Sequence, residues 1–199
     1  MHALLQTVYD EVINGDRSAV EAGVQAAMDA QQPVASILND ALIAAMQEVG
    51  DRFERQDFYV PEMLVAARAM QTGLTLLKPH LVQAGVPAAG KVVLGTVKGD
   101  LHDIGKSLVG MMLEGAGLEV IDLGTDVGPE KFGEAVRTHK PQLVGMSALL
   151  TTTMPNMKAT LEALEDLGVR SQVKVMVGGA PLTDAFAKDI GADGYAPDA

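Results

Sequence analysis

The stretch KVVLGTVKGDLHDIGKSLVGMM, residues 91–112, carries the clearest structural pattern in this chain. It begins with a short β-branched run at 91–97 and continues with a polar, glycine-containing segment at 98–105. Beyond that segment, apolar side chains recur every three or four positions, which is the period of an amphipathic helix. A strand, a tight turn and a helix in direct succession predict the first part of a βαβ unit, and therefore a parallel sheet.

Further apolar runs continue this pattern toward the end of the chain. They lie at 117–124, 141–148, 173–179 and 193–196, and helical patterns occupy 105–116, 129–139, 154–168 and 182–190. The runs do not alternate with polar residues, which is typical of strands covered by helices on both faces. The pattern predicts an α/β fold with a flavodoxin-like or Rossmann-like, doubly wound parallel sheet. Such a sheet usually continues with one more helix, so the end at YAPDA leaves open whether the chain is truncated.

The first 84 residues or so have a helical period throughout. Breaks fall at 14–18, 31–33 and 55–61, which divides the segment into four helices with short links. Helices joined in this way predict an antiparallel four-helix bundle. The linker AGVPAAG at 84–90 then separates the two patterns. We therefore expect two domains, a helical bundle at 1–88 and an α/β domain at 89–199.

Composition narrows the class of protein. The chain has 199 residues, 48% of them hydrophobic, and no cysteine, which excludes disulfides and thiolate metal sites. Its formal net charge is −11 and no basic stripe is present, so neither nucleic acid nor an anionic membrane surface is an expected partner. No apolar run is long enough to span a bilayer, and the first residues do not resemble a signal peptide, so we expect a cytoplasmic protein.

The unusual polar residues and glycines collect in three predicted loops. These loops follow strands one, three and four, and their sequences are KGDLHDIG (98–105), SALLTTTMP (147–155) and GGAPLT (178–183). In an open α/β sheet, ligands bind beyond the carboxyl ends of the strands, which is the edge that these loops share. The sequence therefore predicts a binding site there.

His102 is the candidate ligand within the first of these loops. Asp100 is spaced to accept the second N–H of the imidazole, an arrangement that is usual for a metal-bound histidine. Gly99 and Gly105 allow close approach to the backbone. A surface histidine and a carboxylate that caps a turn remain the plain alternatives.

Several familiar sites do not fit the residues. A hydrolytic zinc site needs three protein ligands, whereas His2 and His80 lie in the helical half and His139 ends a predicted helix. The segment ending in Gly105-Lys106-Ser107 resembles the end of a P-loop, but its upstream glycine is misplaced and the segment is acidic. GxGxxG is missing. A single histidine ligand instead fits a macrocycle that supplies the other ligands of its metal.

The three loops together resemble a known family. Asp100-x-His102-x-x-Gly105, followed by Ser147-x-Leu149 and by Gly178-Gly179, resembles the cobalamin-binding signature of B12-dependent methyltransferases and mutases. The string from 95 to 124 is similar to the cobalamin module of methionine synthase. Residues 50–70 look like the helical cap of the methyltransferases. Residues 147–164 are similar to the small corrinoid proteins of methylamine, glycine-betaine and methanol methyltransferase systems.

The resemblance implies a role for each of these residues. His102 would replace the benzimidazole of the cofactor as lower cobalt ligand (base-off, His-on), while Asp100 and the hydroxyl of Thr153 would hold the imidazole. Ser147 and Thr151 would bond the displaced nucleotide tail. The other residues that the resemblance places near the cobalamin or related corrinoid are Gly99, Leu101, Asp103, Ile104, Gly105, Leu149, Gly178, Gly179, Tyr195 and Ala199 around the loops, and Phe53 and Val60 in the cap.

The implied function is that of a methyl carrier, which is not catalytic alone. A substrate-specific corrinoid methyltransferase would load the cobalt, a second methyltransferase would pass the methyl group to a thiol or tetrahydrofolate, and a reductive activation protein would restore the cofactor. The alternatives are the small subunit of an adenosylcobalamin mutase, a B12-based sensor, and a flavodoxin-like nucleotide binder.

Overall fold

The computed structural model describes residues 2–197 and divides into two compact units. Within these residues the first unit extends to Ala89 and also includes Met111–Leu118. The second unit holds Gly90–Gly110 and the chain from Glu119 onward.

The first unit is helical. Its helices are α1 (Ala3–Asn14), α2 (Arg17–Asp29), α3 (Val34–Ser36), α4 (Ala44–Glu54) and α5 (Val60–Ala84). A π-helical segment, Ile37–Ile43, joins α3 directly to α4, so the three pieces form one continuous rod. Four rods result, and the predicted bundle of four helices is confirmed.

Local sequence explains where these helices begin and end. Gly15 adopts a left-handed conformation (φ 73°) at the end of α1, and the side chain of Asp16 caps α2 by accepting the backbone N–H of Ala19 at 3.0 Å. Pro61 lies in the first turn of α5, where its missing N–H costs nothing. Pro79 lies inside α5 without ending it, in agreement with the helical period that extends to about residue 84.

The helices of the first unit pack through small and branched side chains. Gly73 shows how tightly they fit, because a Cβ at this position would lie 2.9 Å from the side chain of Val20 and 3.0 Å from that of Leu42. Fully buried side chains come from each rod and include Val8, Val12, Val24, Ile37, Met63, Met70 and Leu77.

The second unit is built on a five-stranded sheet. The strands are β1 (Gly90–Thr96), β2 (Leu118–Asp122), β3 (Leu143–Ser147), β4 (Lys174–Gly178) and β5 (Gly194–Tyr195). Their order is β2-β1-β3-β4-β5, and β1, β3, β4 and β5 pair in parallel. This is the flavodoxin-like order, in which the strand order reverses between β1 and β3. The predicted doubly wound sheet is confirmed.

The connecting helices agree with the predicted segments to within two residues at each end. They are α6 (Ile104–Gly115), α7 (Pro129–His139), α8 (Pro155–Asp166) and α9 (Asp184–Ile190). Gly95 in β1 leaves room for α7, because a Cβ there would lie 2.6 Å from the ring of Phe132. Buried side chains from the strands and helices form one core around this ring.

One expectation about the sheet is wrong. In β1 the residues from Val92 to Val97 are all buried, as expected for a strand covered on both faces. In β4, Val175 and Val177 are buried but Met176 is 37% exposed, so this strand buries one face only. Because all these residues are apolar, the sequence alone did not reveal the difference. None of the helices within residues 2–197 is both long and apolar enough to traverse a bilayer.

Candidate functional site

Three loops meet at the carboxyl edge of the sheet. The register pairs Thr96 with Ser147 and Ser147 with Gly178, so the last residues of β1, β3 and β4 lie side by side. The loops that follow these strands therefore begin at neighbouring positions along the same edge of the sheet. The hydroxyl of Thr96 also donates to the backbone oxygen of His102 at 2.9 Å, which ties the first loop back to its own strand.

Asp100 is the centre of the site. Its side chain is fully buried, and its Oδ1 lies 2.7 Å from Nδ1 of His102 and 3.1 Å from the backbone nitrogen of the same residue. Its Oδ2 accepts the backbone N–H groups of Leu149 at 2.8 Å and Leu150 at 3.2 Å, and the hydroxyl of Thr153 at 2.7 Å. One buried carboxylate thus joins the loop after β1 to the loop after β3.

The protonation of Asp100 sets the tautomer of His102. Burial alone would raise the pKa of the Asp100 carboxyl, but hydrogen bonds from Thr153, Leu149 and His102 outweigh burial and hold that pKa well below its usual range. The ionised carboxylate can only accept, so Nδ1 of a neutral His102 must donate to it. Nε2 is then left with a lone pair, which is the form that ligates a metal.

Exposed aliphatic side chains accompany His102. Its own side chain is 51% exposed, while Leu101 and Ile104 beside it are 73% and 85% exposed. Leu149 and Leu150, whose backbone N–H groups bind the same carboxylate, are each 42% exposed. A group of large apolar side chains in water around one imidazole is typical of a binding surface that an apolar ligand covers.

The donor set fits a metal that brings most of its own ligands. Among residues 2–197, no three His, Cys, Asp or Glu side chains converge to hold an ion. A single histidine oriented by a carboxylate, within an aliphatic surface, would suit a corrinoid, whose macrocycle supplies most ligands of its metal and has broad apolar faces. The residues present therefore fit this cofactor.

The glycines of the site differ in what they allow. A Cβ at Gly105 would meet nothing within 4 Å, and a Cβ at Gly178 would lie 3.6 Å from the backbone oxygen of Ala196, an ordinary contact. Gly179 has φ +135°, and a Cβ there would lie 1.9 Å from the backbone oxygen of Ala148. The backbone itself thus requires glycine at 179, whereas only an incoming ligand would require it at 178.

The remaining candidates of the second unit occupy different surroundings. Ser147 is partly buried at the end of β3, and Thr151 is exposed on the same loop as Thr153. Asp103 is exposed, and its backbone oxygen accepts the N–H of Ser107 at 2.7 Å in the first turn of α6. The hydroxyl of Tyr195 donates to the backbone oxygen of Leu182 at 3.1 Å, so it already has a partner within its own unit. Ala199 lies outside the described residues.

The structure does not support a P-loop at Gly105-Lys106-Ser107. The side chain of Lys106 is 3% exposed and forms an ion pair with Asp122 at the end of β2. A P-loop lysine must reach the phosphates of a nucleotide, but this ammonium group is buried against a carboxylate.

The two apolar candidates of the first unit are not part of its buried core. Phe53 lies near the end of α4 and is partly buried, and Val60 is the first residue of α5 and is 39% exposed. Both flank the turn between these helices.

Two polar residues that the sequence analysis missed hold the loop that carries His102. Asn156, in the first turn of α8, donates to the backbone oxygen of Lys98 at 2.8 Å. Asp126, after β2, accepts the backbone N–H of Gly99 at 2.7 Å. Asn156 lies within the segment 147–164 but carries none of its motif positions, and the loop after β2 is not one of the three loops predicted to form the site.

Comparisons with known proteins agree with this fold and with a corrinoid as the bound cofactor. The sequence model of a B12 binding domain matches residues 90–199, and a second B12 binding domain model matches residues 4–78. The chain is 43% identical over 197 residues to dimethylamine corrinoid protein 2 of Methanosarcina mazei, which covers 98% of this chain and 92% of that protein. It is 44% identical over 182 residues to trimethylamine corrinoid protein 2 of Methanosarcina acetivorans, which covers 90% and 83%.

Solved structures give the same result. The methanol:cobalamin methyltransferase complex MtaBC of Methanosarcina barkeri contains a chain that matches with a TM-score of 0.89 and 29% identity, over 99% of this chain and 75% of that one. A cobalamin-binding protein of Desulfitobacterium hafniense matches with a TM-score of 0.79 and 31% identity, over 98% and 92%.

The fold and the site define a cobalamin-binding protein with a helical unit before its α/β unit. The chain belongs to the B12-binding corrinoid proteins, and its cofactor is cobalamin or a related corrinoid.

Proposed function

We propose that this protein carries a methyl group on the cobalt of a corrinoid bound base-off with His102 as lower ligand. A substrate-specific methyltransferase loads the group, and a second methyltransferase passes it to a thiol or tetrahydrofolate, with a reductive activation protein in support. The names of the relatives favour a methylated amine as the first donor, and the methyltransferase complex among the similar structures supports a partner of this type.

The observation that best supports this proposal is the contact between Asp100 and His102. The ionised carboxylate lies 2.7 Å from Nδ1 and accepts its N–H, so Nε2 keeps the lone pair on a side chain that is half exposed. Thr153 and two backbone N–H groups fix the carboxylate from the other side. The imidazole therefore has one tautomer and little freedom to rotate before the cofactor arrives, which lowers the cost of ligation. The bound cofactor supplies the methyl-transfer chemistry itself.

The other loop residues would bind the rest of the cofactor. Leu101, Ile104 and Leu149 would cover apolar parts of the ring. Ser147 and Thr151 would bond the nucleotide tail, for which Gly178 leaves room. The backbone around Gly99, Asp103, Gly105 and Gly179 shapes the surface that these side chains share, and Tyr195 borders the tail. We further propose that residues 1–88 act as a cap in which Phe53 and Val60 cover the methyl face, while residues 89–199 hold the cofactor.

The test is the visible spectrum of the protein after loading with hydroxocobalamin and gel filtration. Wild type should retain the corrinoid with a histidine-ligated spectrum. His102→Ala should retain it without that spectrum, because the tail contacts remain. His139→Ala, at the end of α7, is the matched control and should behave as wild type. A His102→Ala spectrum identical to wild type would exclude His102 as the ligand.

Methyl transfer needs its own measurement. Protein loaded with methylcobalamin should lose the methyl group to a thiol or tetrahydrofolate only when a methyltransferase of the matching type is added. Transfer at the same rate without that enzyme would contradict the role of a carrier between two enzymes.

A further inference from the structure

The loop between β2 and α7 holds the loop of His102 through Asp126. Oδ1 of Asp126 accepts the backbone N–H of Gly99 at 2.7 Å, and the backbone N–H of Asp126 donates to the backbone oxygen of Asp100 at 3.0 Å. Directly beside these bonds, Val97 and Val127 form a parallel bridge. Two hydrogen bonds in opposite directions thus clamp Gly99 and Asp100, which closely precede His102.

The backbone at this clamp adopts conformations that few residues tolerate. Gly99 has φ +81° and Asp126 has φ +53°. Aspartate is among the non-glycine residues that enter the left-handed region most readily, but it still does so at a cost. A glycine would satisfy the backbone at 126 without that cost. What aspartate adds is the carboxylate oxygen that receives Gly99.

The clamp completes the restraint on Asp100. The loop after β3 fixes its side chain through Leu149, Leu150 and Thr153. The loop after β2 fixes its backbone through Asp126. The direction in which the imidazole of His102 leaves the surface depends on both, because Nδ1 is bonded to the side chain of Asp100 and the ring is carried by the adjoining backbone. If only the side chain or only the backbone of Asp100 were fixed, the imidazole could still change its direction.

We propose that Asp126 is a positioning residue, which holds the Gly99–His102 segment so that Nε2 of His102 faces the corrinoid. The proposal rests on the proposed function, since it assumes ligation by His102. It extends the site to a fourth loop, after β2, which the strand order places next to the loop after β1.

The carboxylate can be removed without dismantling its own loop. Lys131 donates to the backbone oxygen of Leu123 at 2.9 Å, and the backbone N–H of Gly124 donates to Asp122 at 2.9 Å. These bonds hold the loop after β2 independently of the side chain of Asp126. Variants at 126 should therefore fold, and their effect should fall on the neighbouring loop.

The experiment compares Asp126→Asn with Asp126→Gly in the full-length protein. Asparagine keeps an acceptor oxygen and tolerates the left-handed backbone, whereas glycine keeps only the backbone freedom. The readouts are hydrogen exchange of the Gly99 amide in the apoprotein and the histidine-ligated fraction of bound hydroxocobalamin at one pH. The unfolding temperature is measured alongside.

We expect Asp126→Asn to match wild type. Asp126→Gly should weaken histidine ligation about fivefold, the factor expected for one lost hydrogen bond that is exposed to water, and should speed exchange at Gly99 by a similar factor. If Asp126→Gly keeps the wild-type ligated fraction, the inference is overturned, whatever happens to its unfolding temperature. A loss of ligation in Asp126→Asn equal to that in Asp126→Gly would also overturn it, because the acceptor would not be the cause. A wild-type protein without a histidine-ligated spectrum would overturn the proposed function, and this inference with it.

Discussion

Replacing Thr153 by valine removes one hydroxyl from the centre of the site and keeps the volume of the side chain. Thr153 is 6% exposed, and its Oγ1 lies 2.7 Å from Oδ2 of the fully buried Asp100. The carboxylate would retain its backbone donors at Leu149 and Leu150 and its contact with His102. The hydroxyl has a single proton and also lies 2.8 Å from the backbone oxygen of Leu150, so the change removes at most one donated hydrogen bond. It does not leave the charge of Asp100 without partners.

The magnitude follows from the type of bond. A hydrogen bond to a charged group contributes about 1.5–3 kcal/mol to stability, and the remaining donors of Asp100 favour the lower half of that range. We take about 2 kcal/mol. In a chain of this length, 1 kcal/mol shifts the unfolding temperature by about 2–4 °C, so Thr153→Val should lower that temperature by about 4–8 °C.

Ligation by His102 should not be lost with the stability. A carboxylate with fewer donors has a higher pKa and accepts the remaining N–H groups more strongly. The bond from Nδ1 of His102 should therefore persist, and Thr153→Val should keep the histidine-ligated spectrum. Loss of stability with preserved ligation is a combination that general damage to the site would not produce.

Thermal unfolding of the apoprotein, followed by circular dichroism, provides the assay. Thr152→Val is the control, since Thr152 is exposed on the same loop, and Thr153→Ser should recover most of the stability because it restores the hydroxyl. If Thr153→Val and Thr152→Val unfold at the same temperature, the hydroxyl does not stabilise Asp100 and the reasoning fails.

Three further predictions concern other parts of the chain. Gly178→Val should abolish retention of corrinoid on gel filtration while the unfolding temperature stays near that of wild type, because a Cβ there meets only an ordinary contact at 3.6 Å; normal retention would argue against a tail site beside it. Burial opposes ionisation of Asp193, but hydrogen bonds from the Val175 backbone and from Lys174 and Arg170 lower the pKa of its carboxyl. Asp193 should therefore contribute about 1–2 kcal/mol to the free energy of unfolding at pH 7. Because its folded pKa lies below its unfolded pKa, that contribution is complete above about pH 4 and is lost as the pH falls through the folded pKa. The difference in urea unfolding between Asp193→Asn and wild type should therefore shrink steadily as the pH is lowered below about 4; a difference that stays constant over that range would show that the charge is not the cause. Phe53→Ala should make bound methylcobalamin more sensitive to light, measured as its photolysis rate, and a rate equal to that of wild type would remove Phe53 from the methyl face.

The boundary between the two compact units affects how the proposed cap should be tested. Residues Met111–Leu118, which include the end of α6, belong to the compact unit of the helices. A fragment that starts near residue 88 would lose the partners of this segment. Full-length variants such as Phe53→Ala are therefore the cleaner experiment.

The fold could be predicted from sequence because its periods are strong. The runs that became β1 and β3 and the helical spacing of α7 were visible without any contact information. The π-helical segment Ile37–Ile43 was not, since its extra residue per turn leaves the apolar spacing almost unchanged.

The site could be predicted only in part. Asp100 and His102 are two residues apart, so their pairing could be inferred from spacing. Thr153 is more than 50 residues away, and only the resemblance to a family suggested it. Asp126 was missed because its role depends on the order of the strands, which places the loop after β2 beside the loop after β1. Strand order is a property of tertiary packing, and no local pattern records it.

The exposed aliphatic side chains around His102 have a consequence for the apoprotein. Leu101 and Ile104 are more than 70% exposed, and two further leucines accompany them. A cell that makes this chain faster than it obtains corrinoid would accumulate apoprotein whose exposed apolar surface favours self-association. Supply of the vitamin would then govern the solubility of the chain as well as its activity, and self-association at high concentration should disappear when one equivalent of cofactor is added.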